Sequence, residues 1–335
     1  MVRIHVTMPQ SIDAIQPDLT AQEQAQIDSE RTLLHAVPPA GSRHPAKLRR
    51  PLPDTLDDRR LADAIRFMES SVADSVRMTA VAAHVNLSPY HFQRYFKETM
   101  GETPASYVRR VKLDEAAVSL LINDKQVIEI AFSAGYGSHE AFVRAFFSQF
   151  GLVPTQYRVY ARQAASQPRP EDLARAKAVR VRQRQPVPLL AMRFYGSYAN
   201  VEMHWQKFAA TLRAAGLSLD GLQAIGVAHD SPEITPNELI RYDCAIVDHG
   251  IDARRCSALT ALTLPADIYA SLEHHAPYDE IFDTYRILSI AWLASAAQEY
   301  AVEVIKAYEL YRAPPWENHR GAQRFDLLLP VIKVT

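Results

Sequence analysis

Arg94 and Arg144 stand fifty residues apart in the same company. Ser88, Phe92, Arg94, Phe96, Gly101, Pro104 and Tyr107 recur at that constant offset as Ser138, Phe142, Arg144, Phe146, Gly151, Pro154 and Tyr157. A guanidinium is a fixed fork of donors that grips the two major-groove acceptors of guanine, and the amide of Gln93 can do the same for adenine. The other residue set up for chemistry is Glu309, between Tyr308 and Leu310 in a run that reads as a strand. Alternation puts Tyr308 and Leu310 on one face and Ala307, Glu309 and Tyr311 on the other. A carboxylate among aromatic rings suits a cationic or hydrogen-bonding apolar ligand, through charge pairing and cation–π contact.

The elements that must position the arginines read as helix, turn, helix, twice over. Thr79 is expected to cap a short helix, and Asn86 to supply a left-handed turn residue. Ser88 caps the next helix, with Pro89 at its first position, where a missing N–H costs nothing. Phe92, Tyr95 and Phe96 point inward at helical spacing, which leaves Tyr90, His91, Gln93, Arg94 and Lys97 outward. In the second copy Gly135 makes the turn, Ser138 caps, Phe142 and Phe146 point in, and His139, Glu140, Val143 and Arg144 lie near the open face. A helix from Pro104 to about Ile122 connects the units. Two helices held this way suit successive major grooves, roughly 10 bp apart.

These motifs resemble the AraC/XylS family of transcription regulators. The resemblance rests on Ser88-Pro-Tyr-His-Phe-Gln-Arg-Tyr-Phe-Lys97, Gly101-Glu-Thr-Pro104, Ile130-Ala-Phe-Ser-Ala-Gly-Tyr-Gly-Ser138 and Gly151-Leu-Val-Pro154, and covers about 57–162. It implies a double helix-turn-helix domain, a promoter or operator duplex as partner, and DNA-contact positions at Tyr90, His91, Gln93, Arg94, Lys97, His139, Glu140 and Arg144. RNA polymerase is a further expected partner. Val153 departs from the pattern, which often has a small polar cap before the proline.

Composition adds bounds. At 335 residues the chain can bury at least two cores. Net charge is −1, and residues 57–162 carry 13 Lys/Arg against 12 Asp/Glu, so bulk charge gives a nucleic-acid role no support. Arg109, Arg110, Lys112, Arg158 and Arg162 cluster behind the two units; such charges are most often a solvated face. Cys244 and Cys256 make no zinc spacing, and His274 and His275 diverge on a strand, so no metal or cofactor is expected. The run from Ile287 to Ala297 is too short for a membrane span, and the N-terminus lacks a signal-peptide layout. A cytoplasmic location follows as an expectation.

In chain order, residues 1–56 read as a mostly flexible leader, with a short strand at Met1 to Thr7 and a polar helix at Ala21 to Leu34. Leu61, Ile65, Met68 and Val72 form one helical stripe. Residues 163–178 read as a linker, partly helical after Pro170. A second repeat follows, at an offset of eighty: Tyr198, Val201, Trp205, Phe208 and Leu212 match Tyr278, Ile281, Tyr285, Leu288 and Trp292. Each helix is preceded by a strand (Val187 to Tyr195; Ala261 to Leu272) and followed by two more, the last opening on Arg241-Tyr-Asp243 or Arg324-Phe-Asp326. Two strand–helix–strand–strand halves related by a pseudo-twofold leave a cleft between them.

Residues 179–335 resemble the GyrI-like effector-binding domains of the Rob and BmrR type. The features are the duplicated helix, Arg241-Tyr-Asp243, His275-x-x-Tyr278, Trp292, Tyr308-Glu309-Leu310-Tyr311 and Asp326-Leu-Leu-Leu-Pro-Val331. The resemblance implies a ligand-facing role for Glu309. Trp292, Tyr195, Tyr269 and Tyr311 are the aromatic candidates beside it, each with core packing as the plainer alternative. The chain is therefore expected to be an α+β multidomain protein: an all-α double helix-turn-helix domain, then a duplicated strand-helix-strand-strand ligand-binding domain. The expected function is ligand-modulated transcription regulation rather than catalysis; the rivals are hydrolysis of reactive small molecules by the second domain, or a dimerisation surface there.

Overall fold

The computed structural model describes residues 19–34, 51–70, 77–122, 124–164, 168–252, 255–302, 306–317 and 321–334. The strand expected at Met1 to Thr7, and Val72, lie outside them. The chain divides into two units, 1–52 with 64–166, and 53–63 with 167–335. Residues 53–63, which the sequence divides between leader and first domain, thus belong to the second unit. Thr55 bridges to Phe194 there, and Lys207 donates to the Thr55 hydroxyl at 2.6 Å.

The first unit is all helix. Helix α1 (Ala21–Thr32) and the part of α2 (Arg59–Ser70) from residue 64 onward precede the repeat. The first copy is α3 (Met78–His84) and α4 (Pro89–Met100), joined by α5 (Pro104–Ile122) to α6 (Val127–Ser133), α7 (His139–Phe150) and α8 (Pro154–Ala164). Five of the seven repeated residues do the same work in each copy. Ser88 accepts from the His91 N–H and Ser138 from the Ala141 N–H, satisfying one open donor at each helix start. Gly101 and Gly151 end α4 and α7 in the left-handed region, at φ 68° and 73°. Phe92, Phe96 and Tyr107 pack edge-on with centroids 5.7 Å apart, and Phe142, Phe146 and Tyr157 repeat the triad at 5.5 and 5.3 Å. Each such ring contributes about 1.5–3 kcal/mol by its burial. Asn86 takes the left-handed turn at φ 56°. The cap expected at Thr79 is not formed: α3 starts after Arg77, which makes no side-chain cap bond.

The second unit is built on one antiparallel sheet. Its strands are β1 (Arg180–Arg184), β2 (Val187–Tyr195), β3 (Ala224–Ala228), β4 (Arg241–Val247), β5 (Thr260–Leu264), β6 (Asp267–Ala276), β7 (Tyr300–Ala301), β8 (Ala307–Tyr311) and β9 (Gln323–Lys333). They run in the order β1-β6-β9-β8-β3-β4-β2-β5, with β7 paired to β9. The order is a palindrome of the two halves, and β1 and β5 exchange: each pairs with the strand of the other half. The single strand expected over Ala261 to Leu272 is split at Pro265 into β5 and β6, because each half carries its own leading arm. Helix α9 (Pro170–Ala176) leads into the unit, and Arg286 donates twice to its Asp172, at 3.0 and 3.2 Å. Helix α10 (Val201–Ala214) and its counterpart α11 (Ile281–Arg286), which continues through a π-turn (Ile287–Trp292), supply the repeated apolar residues.

The pseudo-twofold passes between β3 and β8, where Gly226 lies directly opposite Glu309. A Cβ at Gly226 would collide with the Tyr242 hydroxyl and sit 2.6 Å from Glu309 Oε2. Gly226→Ala is therefore expected to destabilise the second unit by about 1–3 kcal/mol through overpacking. The check is a lowered urea midpoint at unchanged slope, with Gly137→Ala, which meets nothing within 4 Å, as the neutral control.

Candidate nucleic-acid interface and ligand site

On α4 the outward set expected from spacing is outward: Tyr90, His91, Gln93, Arg94 and Lys97 are all exposed, Tyr90 at 71%. Arg94 lies 3.9 Å from Glu98 within its own helix. On α7, Arg144 pairs with Glu140 at 2.8 Å, and both remain substantially exposed. Exposed intrahelical pairs of this kind contribute only a few tenths of a kcal/mol, so either guanidinium can turn to a better acceptor at little cost. His139 is half-buried, its Nε2 3.9 Å from the Glu30 carboxylate. Val143 differs from its expected place: it is fully buried with Ile27 of α1 and Val153.

Three of the five basic residues behind the units have structural partners. Arg110 is buried against Glu102 at 2.7 Å and lies over the Tyr107 ring. Arg158 donates to the carbonyls of Leu120 and Lys125, and Arg162 to Leu121 and Asp124, so both close the C-terminal end of α5.

In the second unit the sheet face toward the helices carries one buried carboxylate. Glu309 is 0% exposed and accepts from the hydroxyls of Tyr242 at 2.5 Å, Tyr278 at 2.7 Å and Tyr311 at 2.9 Å. Trp205 Nε1 donates to Tyr311 Oη at 3.3 Å and braces it. Phe325 packs against both Tyr311 and Tyr278, and Tyr198 stands edge-on to Tyr242. No Lys, Arg or His pairs with Glu309 among the described residues. Burial pushes its carboxyl up, against three hydroxyls that pull it down. Burial, then the Glu309 charge, pushes Tyr242, Tyr278 and Tyr311 well above the ordinary phenol range, so they stay protonated and keep donating. Tyr285 is raised in the same way, and its hydroxyl is buried with no hydrogen-bond partner among the described residues.

Of the four expected aromatic neighbours, the structure brings only Tyr311 to the carboxylate. Tyr269 lies on the other face of the sheet, edge-on to Tyr308, with its hydroxyl on the Pro265 carbonyl. Tyr195 follows Phe194, which stacks on His204 of α10, so alternation turns Tyr195 to the far face. Trp292 packs on Tyr300, with centroids 5.8 Å apart. The residues that do surround Glu309 are Tyr242, from the Arg-Tyr-Asp triplet, and Tyr278, Trp205 and Tyr198, from the offset-eighty repeat. The sequence signal for them is recurrence: the triplet opens a strand in each half, and the offset-eighty set forms the buried face of each helix.

The flanking members of the triplets hold the sheet. Asp243 pairs with Arg193 and His229, and Arg241 with Asp230 at 2.6 Å. Burial and the Arg193 charge lower the His229 imidazole to about 4. His274 stacks on Phe325, and its Nδ1 meets the Thr284 hydroxyl. No group of three or more potential metal ligands occurs among the described residues, and none of their helices is long and apolar enough to cross a membrane.

Comparison with known proteins matches both units. Residues 81–159 fit the model of a helix-turn-helix domain, and residues 177–332 that of a GyrI-like small molecule binding domain. The transposon Tn10 TetD protein of Escherichia coli is 34% identical over 98 residues, 29% of this chain and 71% of that protein. The probable transcription factor PqrA of Proteus vulgaris is 32% identical over 29% of this chain and 80% of its own length. The right origin-binding protein of Escherichia coli K12 is 31% identical over the same share of this chain, which spans about a third (34%) of that relative. Among solved structures, the EcmrR C-terminal domain is similar at 16% identity over 47% of this chain and 98% of its own, with a TM-score of 0.37. By the two matching models and its likeness to the TetD and PqrA proteins, the chain belongs to the AraC-type family of DNA-binding transcription regulators and carries a GyrI-like small molecule binding domain as its second half.

Proposed function

We propose that this regulator reads its operator with α4 and α7, and that a small cationic or amphipathic molecule at Glu309 modulates that reading, through DNA presentation or through contact with RNA polymerase. The observation that carries the ligand reading is the uncompensated carboxylate. Burying an ion costs several kcal/mol unless an opposite charge repays it. Three hydroxyls offset part of that cost, and a cation against the surrounding rings would offset the rest. Modulation requires that the ligand bind the two states of the protein with different affinity.

On the DNA side, α5 is 19 residues long, about 28 Å at 1.5 Å per residue, which suits two readers spaced by about one turn of duplex. Arg94→Ala and Arg144→Ala are each expected to weaken operator binding by about 1–3 kcal/mol and to relax preference at one base position. Gel shifts on a selected operator and its single-base variants are the check, and unchanged affinity and selectivity in both would refute the assignment.

Glu309→Gln keeps the volume and removes the charge. It is expected to cost a cationic ligand about 2 kcal/mol, roughly 30-fold in Kd, while DNA affinity without ligand is unchanged. Because the folded carboxyl is raised, its burial is harmless below the unfolded glutamate pKa and destabilises increasingly as pH rises through the folded one. Ligand-free stability of the unmodified chain should therefore fall over that window relative to Glu309→Gln. A cation, which needs the ionised form, should bind more weakly as pH falls through it. Thermal-shift titrations with tetraphenylphosphonium across pH measure both effects; a shift of equal size in Glu309→Gln would reject the role.

A further inference from the structure

The two reader units share seven residues at one offset, and one place where they differ is covered by a helix from outside the repeat. In the first unit Thr103 precedes Pro104, and its hydroxyl accepts from the Ser106 N–H at 3.2 Å, an ordinary cap for α5. Fifty residues on stands Val153, which cannot cap. The vacant role is filled by Glu30 of α1. Its carboxylate, 0% exposed, accepts from the Thr155 N–H at 3.0 Å and from the Thr155 hydroxyl at 2.7 Å, at the first turn of α8. The valine becomes an apolar seat instead: Ile27, Val143 and Val153 are buried together, with Leu19, Leu33, Leu34 and Phe147 packed around them. Arg31 adds a bond to Gln156 at 3.2 Å. Helix α1 has its own reciprocal cap between Thr20 and Glu23, so it is a formed element laid on the second unit.

What α1 covers is the flank of the second reader helix. Val143 and Phe147 of α7 correspond to Gln93 and Lys97 of α4, both exposed on the open side of the first reader. On α7 the same two places lie under α1, and Glu140 and Arg144 beside them are paired with each other. The arm also brings acid to the flank of that helix: Asp28 is exposed and Glu23 half-buried on α1, against Arg31 as its one base. Each exposed acid there opposes the counterion release that drives duplex binding.

We propose that α1 is an intramolecular shield. Docked, it substitutes for the missing α8 cap and leaves the second reader only partly available; full engagement of a duplex by α7 requires α1 to lift. This rests on the DNA-reading assignment above. An arm docked about 90–99% of the time lowers apparent DNA affinity by about 10- to 100-fold.

The test uses the full chain. Ile27→Asp sets a charge against Val143 and Val153 and releases the arm. Ile27→Asp combined with Val153→Thr releases it while giving α8 a cap of its own, which separates lost shielding from lost capping. Affinity for a fluorescent mixed-sequence duplex of about 30 bp is measured alongside hydrogen exchange of the backbone amides of α1 and α7. The expected result is rapid exchange in α1, DNA binding tightened about tenfold or more in the double variant, and loss of α1 protection in the unmodified chain at saturating duplex. The inference is overturned by a released arm with unchanged or weaker binding, by an arm that stays protected in both variants or on DNA, or by one already unprotected in the unmodified chain. Absence of duplex binding in every form would remove the DNA-reading assignment, and the shield with it.

Discussion

Glu309 is a buried carboxylate with no counter-charge among the described residues, and the neighbouring elements are arranged to tolerate it. Tyr242 comes from β4, Tyr278 from the approach to α11 and Tyr311 from β8, so the three hydroxyls reach Glu309 from three separate elements. Trp205 of α10 holds Tyr311, and Gly226 keeps the facing strand bare. Both halves of the duplication contribute. Loss of one donor leaves the charge less satisfied in a medium where such losses count for more than they would in water. The arrangement exists only because the halves meet there.

The first unit depends on a different economy. Its two small cores are aromatic triads of the same composition, closed by matching serine caps and left-handed glycines. Such cores set the angle of each reader helix without touching the residues on its outer side, so the outer sides are free to diverge. They have done so: Gln93 and Lys97 face solvent, and Val143 and Phe147 face α1.

Much of this was legible in the sequence because repeats expose their own register. The fifty-residue offset located both caps, both helix-ending glycines and the connecting helix, since serine, glycine and proline mark backbone conformations that few other residues accept. The eighty-residue offset located the buried faces of α10 and α11. Glu309 was legible from alternation together with the family resemblance. Its neighbours were not, because facing side chains depend on which strands pair: Tyr195 and Tyr269 sit in strands of the right sheet and point to the wrong side of it. The split of β5 from β6 needed the exchanged pairing to become visible. Glu30 was out of reach altogether, being an ordinary acidic residue in a polar helix whose meaning comes from a valine 123 positions later.

The register of β3 against β8 also has a bearing on stoichiometry. Duplicated modules commonly offer duplicate sites, one per half. Here residues 226 and 309 face each other across the axis itself, at the spacing of a directly opposed antiparallel pair, about 5 Å between Cβ positions. Two carboxylates so placed would repel each other in a dry interior, and the tyrosines could not serve both. The fold therefore admits one acid or the other, and a ligand answering to it would saturate at a single equivalent per chain despite the molecule's two-part ancestry.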